Sequence, residues 1–151
     1  MTTKVVMVCL GNICRSPLAE GILQSKVGNN VFVDSAGTSN YHVGELPDKR
    51  SIAVARKYGI DISQQRCRAF TNKDFETFDY IYVMDKSNYA NVIQLAPSEK
   101  SKQKVKLILN ELHPNQDLEV PDPYFGGESG FEQVFQMLDQ ACEIIANQLT
   151  K

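Results

Sequence analysis

The chain has 151 residues, a usual size for one domain, and can bury roughly two-thirds of the surface that its unfolded state exposes. Its apolar content of 42%, charged content of 23% and formal net charge of −2 are typical of globular proteins and give no reason to expect nucleic acid or an anionic membrane as partner. No apolar run reaches the length of a membrane span or of a secretory signal, so we expect a cytoplasmic protein with one domain over residues 1–151.

The first predicted element is a buried strand at Val5–Cys9, where apolar and β-branched residues follow one another without interruption. A helix is predicted directly after it. Ser16 and Pro17 offer an N-cap and a proline at the first helical position, and apolar residues then share one helical face as far as Val27. The first unit is therefore a strand, a tight loop and a helix.

Strands and helices continue to alternate along the rest of the chain. Further strands are predicted at Val31–Val33, Tyr80–Met84 and Val105–Leu109. Helices are predicted at about Asp48–Tyr58, at Lys86–Ala96, and in a C-terminal segment whose apolar stripe runs from Phe131 to Leu149. This order indicates an α/β protein with a single-domain, doubly wound parallel four-stranded sheet and helices on both faces. In such a fold, ligands bind outside the carboxyl ends of the strands.

The loop Cys-Leu-Gly-Asn-Ile-Cys-Arg-Ser runs from Cys9 to Ser16 between the first strand and the first helix. Its backbone N–H groups can curl around an anion, and Gly11 and Asn12 tolerate the positive φ that such a curl needs. Arg15 offers a planar fork to two oxygens of a tetrahedral oxyanion. These donors and the Ser16 hydroxyl would also stabilise a Cys9 thiolate. The loop therefore predicts a phosphate site with Cys9 as the nucleophile beneath the phosphorus.

Asp122 is the candidate general acid, because Pro121 and Pro123 stiffen the loop that would hold its carboxyl over the site. An ordinary turn aspartate remains the alternative. Tyr41 and Tyr124 lie in loops predicted to form the rim, where aromatic rings would hold the ring of a substrate, although exposed loop tyrosines are usually only surface. The residues expected to bind the substrate are Leu10, Gly11, Asn12, Ile13, Cys14, Ser16, Tyr41 and Tyr124.

Metals and nucleotide cofactors are not expected. The four cysteines have neither the density of a disulfide-stapled domain nor the paired spacing of a zinc site: Cys9, Cys14, Cys67 and Cys142. His42 and His113 lie far apart in the sequence, and no Gly-Lys-Ser or Gly-Lys-Thr of an ATP-binding loop is present. We interpret Cys67 and Cys142 as structural.

These motifs together resemble the low-molecular-weight protein tyrosine phosphatase family, which has a Cys-x5-Arg-Ser loop near the N-terminus and a late Asp-Pro loop. The resemblance spans essentially the whole chain and includes the segments Asp34–Thr38, Val83–Asp85 and Pro121–Tyr124. It implies hydrolysis of phosphotyrosine in proteins through a cysteinyl-phosphate intermediate, with Cys9 as nucleophile, Arg15 holding the phosphoryl group and Asp122 as general acid and base.

The resemblance also assigns supporting roles. Asn12 and Ser35 would hold the loop in its strained shape, and Cys14 would trap an oxidised Cys9 as a disulfide, although Cys14 as a packing residue is an equal alternative. The expected partners are phosphotyrosine-containing proteins, and the expected state is a monomer or a weakly self-associating one.

Three alternatives remain beside this interpretation. Phosphoarginine phosphatases resemble the chain but typically have threonine at the position of Ile13. Arsenate reductases on the same scaffold need two further cysteines in a central loop, where only Cys67 is nearby. A phosphotyrosine-binding module without turnover is disfavoured because Cys9, Arg15 and Asp122 are all present.

Overall fold

The computed structural model describes residues 2–150, with the side chains at positions 124, 125, 127 and 128 left undescribed. Four parallel strands form its sheet: β1 (Thr3–Cys9), β2 (Val31–Gly37), β3 (Tyr80–Val83) and β4 (Val105–Leu107). Their order is β2-β1-β3-β4. The predicted doubly wound fold is confirmed. The chain runs outward from β1 in both directions, which makes the gap between the carboxyl ends of β1 and β3 the expected place for a ligand.

Six α-helices lie among the described residues: α1 (Arg15–Lys26), α2 (Lys49–Lys57), α3 (Asp74–Thr77), α4 (Lys86–Gln94), α5 (Glu99–Lys102) and α6 (Gly127–Leu149). Short 3₁₀ turns occupy Ile108–Asn110 and Pro123–Gly126. Within the described part of the chain, no helix combines the length and the apolar character needed to cross a membrane.

Strand β1 is the centre of the core, because its side chains are buried on both faces of the sheet. Val5 and Met7 pack in a cluster with α1, α2 and α6, whereas Val6 and Val8 pack in a second cluster with residues of α3 and α4. All four side chains are fully buried. Each contributes about 1.5–3 kcal/mol by leaving water, so β1 is a rigid base for the loop that follows Cys9.

The capping of α1 differs from the prediction. The helix begins at Arg15, one residue before Ser16, and Cys14 stands at the cap position without a side-chain capping bond. Ser16 is therefore not the N-cap. Its hydroxyl lies 3.0 Å from Cys9 Sγ and accepts a hydrogen bond from Asn12, and these contacts replace a cap.

The prediction for the fourth strand was too long, and two short helices were missed. Strand β4 ends at Leu107, and the following residues turn into the 3₁₀ segment, because the carbonyl of Ile108 accepts from Glu111 N. Helices α3 and α5 have four residues each, too few to show an apolar period. Both lie outside the edge that carries the candidate site.

Candidate active site

The Cys9–Ser16 loop lies against the end of strand β2. Thr38 N donates to Cys9 O and Ser39 N donates to Leu10 O, both at 2.9 Å. A Cβ atom added to Gly37 would stand 2.8 Å from Leu10 O, closer than real side chains come to a backbone oxygen. Only glycine at this position lets the loop approach the sheet so closely.

Asn12 fixes the curl of the loop. Its φ is 58°, in the left-handed region that asparagine tolerates better than most residues, and its side chain is buried. Its amide nitrogen donates to Ser16 Oγ at 2.9 Å and to Ser35 Oγ at 3.0 Å. Its amide oxygen accepts from Arg68 N at 3.0 Å, which determines the orientation of the amide. Asn12 and Ser35, to which the resemblance gave supporting roles, are thus in direct contact behind the loop.

Cys9 ends β1 with its sulfur inside the loop, where only 3% of the residue is exposed. Ser16 Oγ, 3.0 Å from Cys9 Sγ, already accepts the hydrogen bond of Asn12. Either the thiol or the hydroxyl could donate in this contact, but a thiolate carries no hydrogen, so the Ser16 hydroxyl is the donor whenever Cys9 is ionised. A hydroxyl that donates to sulfur stabilises the thiolate over the thiol, which is the form that attacks phosphorus.

Arg15 is held by two long-range contacts. Its Nη1 donates to Asp85 Oδ2 at 2.8 Å and to Val120 O at 2.9 Å, and the residue is only 6% exposed. Asp85 follows β3 and also accepts the Asn88 N–H at the start of α4. The guanidinium is thereby positioned between the carboxyl ends of β1 and β3, where the topology places a ligand.

A cleft of about 120 Å³ opens at this position. It is lined by Cys9, Leu10, Gly11, Ile13, Cys14, Arg15, His42 and Asp122. A cleft this small suits a phosphoryl group, whereas sites for whole drug-sized ligands have roughly 300–1,000 Å³. The structure therefore brings Asp122, more than one hundred residues along the chain from Cys9, to the same opening.

Not every predicted site residue lines this cleft. Asn12 and Ser16 lie beneath it and support the loop through the contacts above. Tyr41 is 84% exposed and is absent from the lining, where its neighbour His42 lies instead, paired with Glu45 at 3.0 Å. The predicted contact of Tyr124 falls on a side chain outside the described residues.

The sequence analysis did not identify two residues after α2 that support the Cys9–Ser16 loop. Cys67 Sγ donates to Asn12 O at 2.8 Å, and burial raises the pKa of Cys67 to about 11, so the thiol stays protonated near neutral pH. Arg68, whose N–H holds the Asn12 amide, is itself held by the carboxylates of Asp34 and Asp74. The sequence offers no specific signal for Arg68, because a single basic residue in a polar segment is common.

The side chains described by the structure include no group of three or more His, Cys, Asp or Glu residues that could hold a metal ion. Cys142 lies fully buried in the core, where burial raises its pKa. Its position matches the interpretation of this cysteine as structural.

Comparison with known proteins agrees with this site. A family model described as low molecular weight phosphotyrosine protein phosphatase matches residues 4–151. The mouse low molecular weight phosphotyrosine protein phosphatase is 43% identical in an alignment over 146 residues that covers 93% of this chain and 91% of the mouse protein.

Two solved structures share the fold over nearly their whole length. Vibrio vulnificus Wzb in complex with benzylphosphonate matches with a TM-score of 0.88 at 28% identity, covering 98% of this chain and 99% of that one. The Drosophila arginine phosphatase DARP matches with a TM-score of 0.89 at 31% identity, covering 99% of each chain. The resemblance found in the sequence is confirmed: the chain belongs to the low molecular weight phosphotyrosine protein phosphatase family, a family of hydrolases.

Proposed function

We propose that this chain hydrolyses phosphotyrosine in proteins through a covalent cysteinyl-phosphate intermediate. The observation that carries the proposal is the cleft that Cys9, Arg15 and Asp122 line together. These three residues supply the groups that the reaction needs: a nucleophile, a cation for the phosphoryl oxygens and a proton donor for the leaving oxygen.

In the first step the Cys9 thiolate attacks phosphorus in line with the tyrosyl oxygen. The S–P bond forms, the P–O bond to tyrosine breaks, and Asp122 gives its proton to the leaving phenolate. The loop N–H groups and the Arg15 guanidinium stabilise the charge on the equatorial oxygens. Asp85 and Val120 O hold Arg15 on one side, which limits the guanidinium to one orientation.

In the second step a water molecule attacks the cysteinyl phosphate. The Asp122 carboxylate takes a proton from that water, the S–P bond breaks, and inorganic phosphate leaves with the Cys9 thiolate restored. The Asp122 carboxyl thus serves in both steps, because the group that protonates the leaving oxygen can then deprotonate the attacking water. No metal is required for either step.

The shape of the cleft supports an aryl phosphate as substrate. The opening has room for a phosphoryl group but not for a whole amino-acid side chain, so the rest of the substrate must extend beyond it, past His42. We expect the long, flat side chain of phosphotyrosine to reach Cys9 more readily than the shorter side chain of phosphoserine. The Vibrio relative is named as a complex with benzylphosphonate, which has the same ring and tetrahedral head.

Phosphoarginine is the competing substrate, since one structural relative is named an arginine phosphatase. Ile13, which lines the cleft, favours an aryl ring because its apolar side chain offers no acceptor to a guanidinium. We therefore expect phosphotyrosine peptides to be hydrolysed with a higher kcat/KM than phosphoarginine peptides.

The test is the replacement Asp122→Asn, assayed with aryl phosphates whose leaving groups range from activated phenols to tyrosine, with and without a chelator. Loss of the proton donor should lower kcat about 10²- to 10⁴-fold for tyrosine and much less for an activated phenol that needs little protonation. Glu119→Gln is the matched control, because Glu119 lies nearby on the same segment and contacts only Lys86 N among the hydrogen bonds described.

The result that contradicts the proposed role is an equal loss on every leaving group. Asp122 would then act only by positioning its loop. Cys9→Ser provides the second check, because a serine hydroxyl is essentially un-ionised in the same loop and should leave no turnover. Substantial turnover by Cys9→Ser, or activity that the chelator abolishes, would refute the covalent, metal-independent mechanism.

A further inference from the structure

A second titratable side chain lies behind the Cys9–Ser16 loop. Glu20 follows Ser16 by one helical turn on α1, and its Oε1 accepts a 2.6 Å hydrogen bond from Ser35 Oγ. Ser35 Oγ in turn accepts from Asn12 Nδ2 at 3.0 Å. A single hydroxyl therefore separates the Glu20 carboxyl from the residue that gives the loop its curl. Glu20 does not line the cleft, so the role proposed above for the cleft residues does not use it.

The surroundings of Glu20 disfavour its negative charge. Burial, with a smaller contribution from the Asp34 carboxylate on β2, raises the pKa of the Glu20 carboxyl from 4.5 to about 7. The hydrogen bond from Ser35 and the Arg68 guanidinium act in the opposite direction but do not cancel the effect of burial. Asp61 lies on the same groove, which opens to solvent behind the loop.

We propose that Glu20 is a positioning residue of the anion-binding loop, whose carboxyl oxygen holds Ser35 and Asn12 in place and whose negative charge weakens the binding of a phosphoryl dianion. The proposal rests on one part of the proposed function, namely that the Cys9–Ser16 loop binds an oxyanion.

The positioning effect is present in both forms of the Glu20 carboxyl, whereas the charge effect requires the ionised form. A protonated carboxyl keeps one carbonyl oxygen as acceptor, so Ser35 has its partner in both forms. Only the ionised form places a negative charge behind the loop, where it repels a dianion in front of it. Neutral Glu20 should therefore bind an oxyanion more tightly. By reciprocity, a bound dianion should raise the pKa of Glu20 further.

The charge effect can be measured by calorimetric titration with tungstate, a tetrahedral oxyanion whose charge does not change between about pH 6 and pH 8.5. The dissociation constant of the wild type divided by that of Glu20→Gln should rise from near one at low pH to about 3- to 10-fold at high pH. Taking the ratio removes any pH dependence that the two proteins share.

The matched control is Glu99→Gln, which removes the same charge at the opposite end of the sheet. The exposed Glu99 lies on α5, before β4, and pairs with Lys102. The ratio for Glu99→Gln should stay near one at every pH. A pH-independent ratio for Glu20→Gln would overturn the charge effect, and so would a pH-dependent ratio of the same size for Glu99→Gln.

The positioning role is tested by comparing Glu20→Gln with Glu20→Ala. Glutamine keeps an acceptor for Ser35 and alanine does not, so kcat of Glu20→Ala should be about tenfold below that of Glu20→Gln at pH 6. Equal values for the two variants would overturn the positioning role. In the wild type, ¹³C-labelled glutamate followed by NMR should show the Glu20 titration move to higher pH when tungstate binds, a readout that needs no variant.

An unmoved Glu20 titration in tungstate-bound protein would overturn the charge effect even where both Glu20 variants fail to fold. Absence of tungstate binding by the wild type at any pH would overturn both this proposal and the proposed function. Equally strong tungstate binding by the wild type and Glu20→Gln across the pH range would overturn the charge effect of Glu20 and leave the proposed function untouched.

Discussion

Gly37→Ala tests how closely the anion-binding loop depends on strand β2. The added Cβ would lie 2.8 Å from Leu10 O, 3.0 Å from Gly11 C and 3.1 Å from Asn12 Cβ. Ordinary contact begins at about 3.4 Å, so the loop must retreat by about 0.6 Å. The neighbours include backbone atoms, which cannot swing away as a flexible side chain can.

The expected size of the effect follows from this displacement. Overpacking in a well-packed region costs about 1–3 kcal/mol, which corresponds to a fall in Tm of about 2–10 °C for a chain of this length. A shift of 1 Å in a catalytic group can cost about 10²-fold in rate. We therefore expect kcat/KM for p-nitrophenyl phosphate to fall about 10- to 100-fold, because the loop N–H groups no longer surround the phosphoryl oxygens.

The assay combines steady-state kinetics with thermal unfolding, and Gly28→Ala is the matched control. Gly28 has open space where a Cβ would stand and does not need a positive φ, so its alanine variant should keep wild-type activity and stability. Wild-type kcat/KM for Gly37→Ala would show that the loop does not depend on this contact. An equal loss in both variants would point to a general effect of the substitution.

Two further predictions concern redox chemistry and stability. Mild peroxide should oxidise Cys9 to a sulfenic acid, which Cys14 captures as a disulfide that peptide mapping detects. In Cys14→Ser the oxidation of Cys9 should proceed to sulfinic acid. Equal recovery of both proteins with dithiothreitol would contradict protection by Cys14. Because the pKa of Glu20 is raised from 4.5 to about 7 in the folded state, the native protein holds a proton that the unfolded chain releases between these values, and stability falls as pH rises through that window. Glu20→Gln should remove this loss of stability, which amounts to up to about 3 kcal/mol. The unfolding free energy of Glu20→Gln should therefore exceed that of the wild type at pH 8 but not at pH 4.5. An equal pH dependence of the unfolding free energy in the two proteins would be the contrary result.

Local patterns were sufficient to predict the elements that carry the site. The uninterrupted apolar run of β1 indicated a strand buried on both faces, and the short spacing from Cys9 to Arg15 indicated a tight loop between that strand and the first helix. Asp122 could be proposed because its flanking prolines are a local signal. The motif also named Asn12 and Ser35, and the structure brings them into contact.

The remaining contacts could not be predicted because their partners lie far apart in the sequence. Asp85 meets Arg15 across 70 residues, and Arg68 meets Asn12 across 56. The error at Ser16 has the same origin. Capping rules consider only neighbouring residues, whereas the Ser16 hydroxyl is taken by Cys9 and Asn12. The outward orientation of Tyr41 could not be predicted either, because residue type does not determine where a side chain in a loop points.

The position of β1 has a consequence for how the active site comes into being during folding. Along the chain β1 precedes all other strands, yet in the sheet it lies between β2 and β3, and Arg15 needs a carbonyl at residue 120. Strand β1 can pair with β2 once residue 37 is present, but its second neighbour ends at Val83 and the carbonyl that Arg15 needs lies at residue 120. Such long-range pairing slows folding and leaves early segments exposed meanwhile. A chain interrupted before residue 120 would carry the nucleophile but not the complete anion site, so catalytic activity reports the completion of the whole fold.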